Sequence, residues 1–294
     1  MGKIFLQNIS RYSAFLILTL LSASVWSQTL LISDVDDTLK ASHVLNKSDA
    51  LRNTVRIRNH FYGMAELYSA IYGTNPNIDF FYLSAAPEKL MEKLHTAFLK
   101  KNGFPTGELI LRQRLSDKDF KLNAIRTLIA QHSPQKIILI GDNGERDPYI
   151  YERVFSEYPN IQVEIYIHQV YSYRAKNETG ASQLSGHTIF VTAIDLARSL
   201  VKTGDLPSSE LDRLALDTLP DFFKQDPKKE VGPLFIPAWV DCRDFFDLET
   251  LTPTSWNLDP QSPTDGPRSP TEWLMAYDRK LAARCQNGPI PKTK

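Results

Sequence analysis

Thr29-Leu-Leu-Ile-Ser33 runs straight into Asp34-Val35-Asp36-Asp37-Thr38. The first five residues are a short apolar run of the kind that forms a strand buried on both faces of a parallel sheet. Carboxylates just past the carboxyl end of such a strand stand where open α/β sheets bind their ligands. If the backbone turns sharply, Asp34 and Asp36 face one reacting centre. Asp34 then attacks phosphorus as a nucleophile, and Asp36 gives and later takes the proton. For this pentapeptide alone, an Asp-rich turn is the alternative. A calcium loop fails, because the sixth position from Asp34 is Leu39 and not glycine, and the twelfth is Leu45 and not glutamate.

Further strands follow at intervals: Asp79-Phe-Phe-Tyr-Leu83, Lys136-Ile-Ile-Leu-Ile140, and the alternating run from Ile161 to Val170. Helices separate them. Pro87 opens one with a Leu90, Met91, Leu94, Phe98 stripe that stops at Lys100-Lys101-Asn102-Gly103, cations and a terminal glycine. Another starts near Asp117 with Leu122, Ile125, Leu128 and Ile129 on one face. A third takes Asp147 as N-cap and Pro148 as its first residue. Strand and helix in alternation give an α/β fold, a Rossmann-like, mostly parallel sheet with helices on both faces. The 49 residues between Asp34 and Ser84 exceed an ordinary link. Asn53 to Gly73 reads as a helical insertion, its aromatic residues either core or a hydrophobic lip for acyl chains. Tyr171 to His187 is a long polar loop placed to gate the site.

The other candidate functional residues also end strands. Ser84, in Leu83-Ser84-Ala85-Ala86-Pro87, offers a hydroxyl beside a helix N-terminus, which suits an oxyanion; a plain N-cap is the alternative. Lys121 sits in the first turn of its helix, where a cation opposes the macrodipole. Asp142 and Asp147, in Gly141-Asp-Asn-Gly-Glu-Arg-Asp-Pro148, form a carboxylate cluster of the kind that holds Mg²⁺, an ion that prefers oxygen ligands. Asp147 has a second reading as the N-cap. The six histidines show no metal spacing, and His168 reads as structural. Neither a glycine-rich dinucleotide fingerprint nor a P-loop occurs.

Composition narrows the class. The chain has 294 residues, with 34 basic and 34 acidic side chains. That balance gives no footprint for nucleic acid, and two cysteines exclude a four-thiolate zinc site. Lys3 and Arg11 precede an apolar stretch from Ala14 to Trp26, too short for a typical span and followed by a cleavage-like Val25-Trp26-Ser27. Residues 1–27 are therefore expected to be a signal peptide, with a retained anchor as the alternative. Export to periplasm or medium predicts that Cys242 and Cys285 pair; two buried thiols are the alternative. Residues 28–204 read as the catalytic domain. After Asp205 lie twelve of the 18 prolines and Trp239, Trp256 and Trp273. Residues 205–294 thus read as an irregular appendage, with Leu251 to Pro270 a draped loop and a capping box at Ser269-Pro-Thr-Glu272 opening a helix through about Ala283. Its aromatics either pack on the main domain or face a membrane or partner.

In order, these elements resemble the haloacid dehalogenase superfamily: D-x-D-x-T after the first strand, a serine after the next, a lysine, then G-D-x-x-x-x-D. Within it, the chain is similar to the actin-patch-type phosphatidate phosphatases and their bacterial relatives. The matching stretches are Ser33-Asp-Val-Asp-Asp-Thr-Leu-Lys40, Phe81-Tyr-Leu-Ser-Ala-Ala-Pro87, Asn102-Gly-Phe-Pro-Thr-Gly107, Phe120-Lys121 and Ile138-Leu-Ile-Gly-Asp-Asn-Gly-Glu-Arg-Asp-Pro148. They span residues 28–170, with continuation expected to a helix ending near Lys202. The family often has Ser where Asn143 stands, and Ser-Ala-Ser where Ser84-Ala85-Ala86 stands.

The resemblance implies a Mg²⁺-dependent phosphatase whose Asp34 forms an aspartyl-phosphate while Asp36 serves as acid and base. It implies Mg²⁺ held by Asp34, the Asp36 carbonyl, Asp142 and Asp147. Thr38, Ser84, Ala85 and Lys121 would bind the phosphoryl group. The implied substrate is phosphatidate, released as diacylglycerol, with peripheral membrane contact. The alternatives are a soluble or protein-borne phosphomonoester as substrate, and a non-catalytic phosphate- or lipid-binding module. Relatives that only bind lipid tend to lack the second acid, and Asp36 is present.

Overall fold

The structure, a computed structural model, describes residues 28–245 and 269–291. The expected signal peptide, Trp256 and nearly all of the Leu251–Pro270 segment lie outside the described residues. Strand β1 (Thr29–Ser33) is hydrogen-bonded on its two sides to β3 (Ile78–Pro87) and β5 (Lys136–Asp142). Outside these come β4 (Glu108–Arg112) on one flank, and β6 (Gln162–His168) then β7 (Thr188–Phe190) on the other. The order is β4-β3-β1-β5-β6-β7 and every pairing is parallel. Central strands of such a sheet are covered on both faces, which explains their unbroken apolar runs: Leu30, Leu31, Ile32 and Ile137 to Ile140 are fully buried. Each of these side chains contributes roughly 1.5–3 kcal/mol by leaving water.

Helices α3 (Glu88–Lys101), α4 (Phe120–His132) and α5 (Asp147–Glu157) connect successive strands, and α6 (Ala193–Thr203) follows β7. The stripe on α4 is buried as expected. On α3 it is shifted: Leu90 is exposed, and the inward face is Met91, His95, Phe98 and Leu99. Asp147 is the first residue of α5 and not its cap, because its carboxylate is spent inside the site.

The insertion after β1 departs from the expected single helix over 53–73. It is α1 (Lys47–Thr54), the two-residue β2 (His60–Phe61) and α2 (Met64–Thr74). Gly63, at φ +87, starts α2 from a left-handed position. Asn59 breaks the helical path by bonding to distant backbone, donating to Glu230 O and accepting from Gly232 N–H. That contact lets β2 pair with β8 (Pro233–Leu234). Phe61, Met64, Leu67, Tyr68 and Ile71 are buried, so most of the insertion's aromatic and aliphatic residues are core and not a lip.

The C-terminal region packs on the sheet domain. Helix α7 (Ser208–Lys224) and helix α8 (Pro270–Asn287) lie together, and α8 opens with the expected capping box between Ser269 and Glu272. Tyr277 donates to Asp195, the buried carboxylate at the start of α6, from 2.8 Å. Cys242 and Cys285 form a disulfide, the expected pairing and not the alternative of two buried thiols. Trp239 stacks on His43, with ring centroids 4.3 Å apart, and Trp273 lies against Phe223. Trp239 is therefore turned onto the main domain, and Trp273 packs within the C-terminal region, on α7.

Candidate active site

The singled-out residues sit at or near the carboxyl ends of β1, β3 and β5, at the start of α5, which follows β5, and at the start of α4, which follows β4. The chain leaves β1 at Asp34, whose N–H bonds to Ile140 O, and turns at Asp37, a non-glycine residue at φ +58. The turn is held by Asp37 itself. Its Oδ1 accepts from the N–H groups of Ser42 and His43, and its Oδ2 from Val44 N–H and the Tyr171 hydroxyl. Burial pushes the Asp37 carboxyl up to about 6, although these donors pull the other way. His168 supports the same turn with no metal role: its two ring nitrogens lie 2.8 Å from Asp37 O and 2.9 Å from Val191 O.

Asp34 accepts from Lys121 Nζ at 2.7 Å on one oxygen and from the Thr38 hydroxyl at 3.1 Å on the other. Lys121, the second residue of α4, also donates to Asp147 Oδ1 at 2.5 Å. The helix thus carries its ill-placed cation into the site, as the sequence suggested. Carboxylate oxygens of Asp34, Asp142 and Asp147 all lie within 4.8 Å of one another. Burial raises the Asp34 carboxyl well above its usual range; Lys121 opposes this, and Asp147 and Asp36 add to it. Asp142 is raised in the same way, by burial and then by Asp147 and Asp34. Burial would lower Lys121, yet Asp147 and Asp34 hold it above its ordinary value.

These residues fit a divalent cation. Three converging carboxylates against one ammonium leave two negative charges in a buried pocket, a state that is costly without compensation. Asp147 Oδ2 is buried and has no hydrogen-bond partner among the described residues. An all-oxygen donor set of this kind suits a hard ion such as Mg²⁺. The Asp36 side chain is not part of the converging set.

Asp36 instead forms a neighbouring station. Its Oδ1 accepts from the Ser42 hydroxyl at 2.6 Å, and its Oδ2 from the Ser84 hydroxyl at 3.2 Å; His95 Nε2 lies 3.2 Å from Oδ2. Burial works to raise Asp36, but His95, then the Lys40 ammonium and the Ser42 hydroxyl, hold it below the usual carboxylate range. Ser84 is not an N-cap: β3 runs past it, and Pro87 occupies the cap position of α3. Its hydroxyl also accepts from Ala86 N–H, and Ala85 lies in the irregular turn between Ser84 and Pro87.

The polar loop after β6 is latched to the site by Asn143. The Asn143 amide donates to Tyr171 O and Ala181 O, and its carbonyl accepts from the N–H groups of Val170 and Tyr171. A serine, as the related family often has there, is too short to make all four bonds. Asp37, His95 and Tyr171 were not singled out in the sequence. For His95 a signal existed, a histidine in register with Met91 and Phe98 on an apolar helix face.

Residues 29–169 match the protein family described as "Phosphatidate phosphatase APP1, catalytic domain". The match ends at the close of β6, short of the expected continuation to Lys202, although β7 and α6 complete the same sheet. The chain is 29% identical over 150 residues to phosphatidate phosphatase APP1 of Saccharomyces cerevisiae, covering 47% of this chain and 25% of the relative. It is 27% identical over 154 residues to an uncharacterized protein of Schizosaccharomyces pombe, covering 48% of this chain and 25% of that one. The chain therefore spans about a quarter of the length of these relatives.

Proposed function

We propose that this chain is a Mg²⁺-dependent phosphatase that hydrolyses a phosphomonoester through an aspartyl-phosphate on Asp34, with phosphatidate as the favoured substrate. The observation that carries this reading is the convergence of the Asp34, Asp142 and Asp147 carboxylates on one another, with Lys121 bonded to Asp34 and Asp147, from segments far apart in the sequence. Mg²⁺ held by Asp34, Asp142, Asp147 and the Asp36 carbonyl would supply the positive charge that lets a carboxylate approach a phosphate dianion.

The remaining work falls to the protein. Asp34 presents an oxygen held by Thr38 and Lys121 for attack on phosphorus. Lys121 and Ser84 stand where phosphoryl oxygens can exchange for their present carboxylate partners. Asp36 protonates the departing alkoxide and then takes a proton from the water that releases phosphate from Asp34. Held below the usual carboxylate range, Asp36 is ionised in the free site, the form that can accept a proton in the second step; an arriving phosphate dianion favours the protonated form that the first step needs. The resemblance of the sequence to the haloacid dehalogenase superfamily supports this assignment of roles.

A lipid substrate is supported by the catalytic-domain match to a phosphatidate phosphatase. A soluble phosphomonoester is favoured by one feature, the burial of the insertion's aromatic residues that would otherwise line an acyl groove. Among the described residues no helix is long and apolar enough to cross a membrane. Export is supported by the leader-like residues 1–27 and by the Cys242–Cys285 disulfide.

Phosphate release should be measured on phosphatidate in detergent micelles and on water-soluble esters, with Mg²⁺ and with EDTA. The expected result is turnover of phosphatidate that EDTA abolishes. Preference for soluble esters would select the second substrate class. Tight phosphatidate binding with no release from any ester would replace the enzyme reading with a binding module.

A further inference from the structure

The hydrolysis proposed above requires one carboxyl group to face first an alkoxide and then a water, and the structure holds that group by an unassigned side chain. His95 projects from the apolar face of α3, between Met91 and Phe98, and is fully buried. Its Nε2 lies 3.2 Å from Asp36 Oδ2 and 3.5 Å from the Ser84 hydroxyl, while its Nδ1 is buried with no hydrogen-bond partner. His168 shows what a buried histidine looks like when packing explains it, with both ring nitrogens against backbone carbonyls. Among the described residues the His95 ring has no backbone partner; its polar contacts are Asp36 and Ser84. A proton on Nδ1 would be buried without an acceptor, at a cost of about 1–3 kcal/mol, so the surroundings select the ring with its proton on Nε2. That proton can only point at Asp36 and Ser84. Asp36 is also the most open of these carboxylates, its side chain 20% exposed against 4% for Asp34 and 0% for Asp147.

We propose that His95 is the positioning residue for Asp36. Its Nε2–H fixes Oδ2 while Ser42 fixes Oδ1, so that the carboxyl group meets the leaving oxygen. In the first step the Asp34 oxygen bonds to phosphorus, and the phosphorus–alkoxide bond breaks. Its electron pair goes to the alkoxide, which takes the Asp36 proton. In the second step water bonds to phosphorus, its proton returns to Asp36, and the phosphorus–Asp34 bond breaks. His95 keeps its proton throughout. The inference rests on the phosphatase reading for its kinetic consequence and on the structure alone for its hydrogen bond.

Two esters separate positioning from general structural damage. An alkyl phosphate needs its leaving group protonated, whereas p-nitrophenyl phosphate releases a stable phenolate, and kcat/KM reports only the steps through phosphoryl transfer. For His95→Leu, kcat/KM on glycerol phosphate or dioctanoyl phosphatidate should fall about 100-fold or more, the lower range for general acid catalysis. On p-nitrophenyl phosphate it should fall less than about fivefold, roughly 1 kcal/mol of barrier. His95→Gln, which keeps an amide N–H near Nε2, should recover most of the alkyl-ester loss. Equal losses on both esters, or Gln no better than Leu, would overturn the proposal. Should the wild type hydrolyse neither ester, the phosphatase reading fails, and side-chain ¹⁵N NMR of the wild type decides the hydrogen bond. An Nε2-protonated His95 signal that shifts in Asp36→Ala is expected. An Nδ1-protonated ring, or one indifferent to Asp36→Ala, would refute it.

Discussion

Lys121 brings one positive charge into a pocket where Asp34, Asp142 and Asp147 bring three negative ones, and almost none of them reaches solvent. A site assembled for stability would not leave that imbalance, since an uncompensated buried charge typically costs several kcal/mol. Asp34→Asn should therefore act in opposite directions on two observables. Phosphate release should fall at least about 10³-fold, because an amide cannot form the acyl phosphate. The melting temperature of the metal-free protein should rise, because one repelling charge is gone. A variant that loses stability and keeps activity would show that Asp34 is an ordinary buried salt-bridge partner. Asp34 and Asp142 were legible in the sequence because each stands at the end of an apolar strand, and Asp147 because it follows Asp142 by five residues at the start of a helix. His95 and Asp37 were not. Asp37 hides beside Asp34 and Asp36, and His95 meets Asp36 only because α3 packs on β3, the neighbour of β1, which brings together residues 59 positions apart.

At the scale of elements, four of the sheet's six strands and the helices α3, α4 and α5 were readable from local periodicity, but β4, β7 and the connections made by distant partners were not. Asn59 ends the helical path of the insertion by bonding to residues 230 and 232, and nothing near residue 59 announces that. Asn143 is the converse case: a local residue whose four side-chain bonds decide the path of a loop reaching to Ala181. His43 adds a second tie, its Nε2 lying 2.7 Å from Glu178 of the same loop. Asn143→Ser should thus free the Val170 and Tyr171 N–H groups while leaving the Ala181 N–H bonded to the residue-143 carbonyl. Losing bonds worth about 1 kcal/mol each predicts roughly tenfold faster hydrogen exchange at Val170 and Tyr171, with the β1 and β5 amides unchanged. Uniformly faster exchange would mean that Asn143 supports the whole fold and not the loop.

For the whole molecule, the consequence of the site is a stability that depends on pH and on the divalent ion together. Asp34, Asp37 and Asp142 have folded-state affinities for protons above those of the unfolded chain, Asp37 at about 6. An acid raised in this way stabilises the fold fully below the unfolded value near 4, and that contribution is lost as pH rises through the folded value. His168 opposes them. Burial lowers it to about 4, so it favours the folded state increasingly as pH rises toward 6.5. The raw pH profile therefore mixes two opposed slopes and does not isolate the site. The increment produced by the ion does isolate it, because the buried histidine contributes equally with and without Mg²⁺. Protons and Mg²⁺ compete for the same carboxylates, so the rise in melting temperature on adding Mg²⁺ should be small at pH 5 and larger at pH 7. The increment should collapse in a variant lacking the Asp142 carboxylate, such as Asp142→Asn. A Mg²⁺ increment that is absent, or that shrinks between pH 5 and pH 7, would show that the three carboxylates do not share an ion.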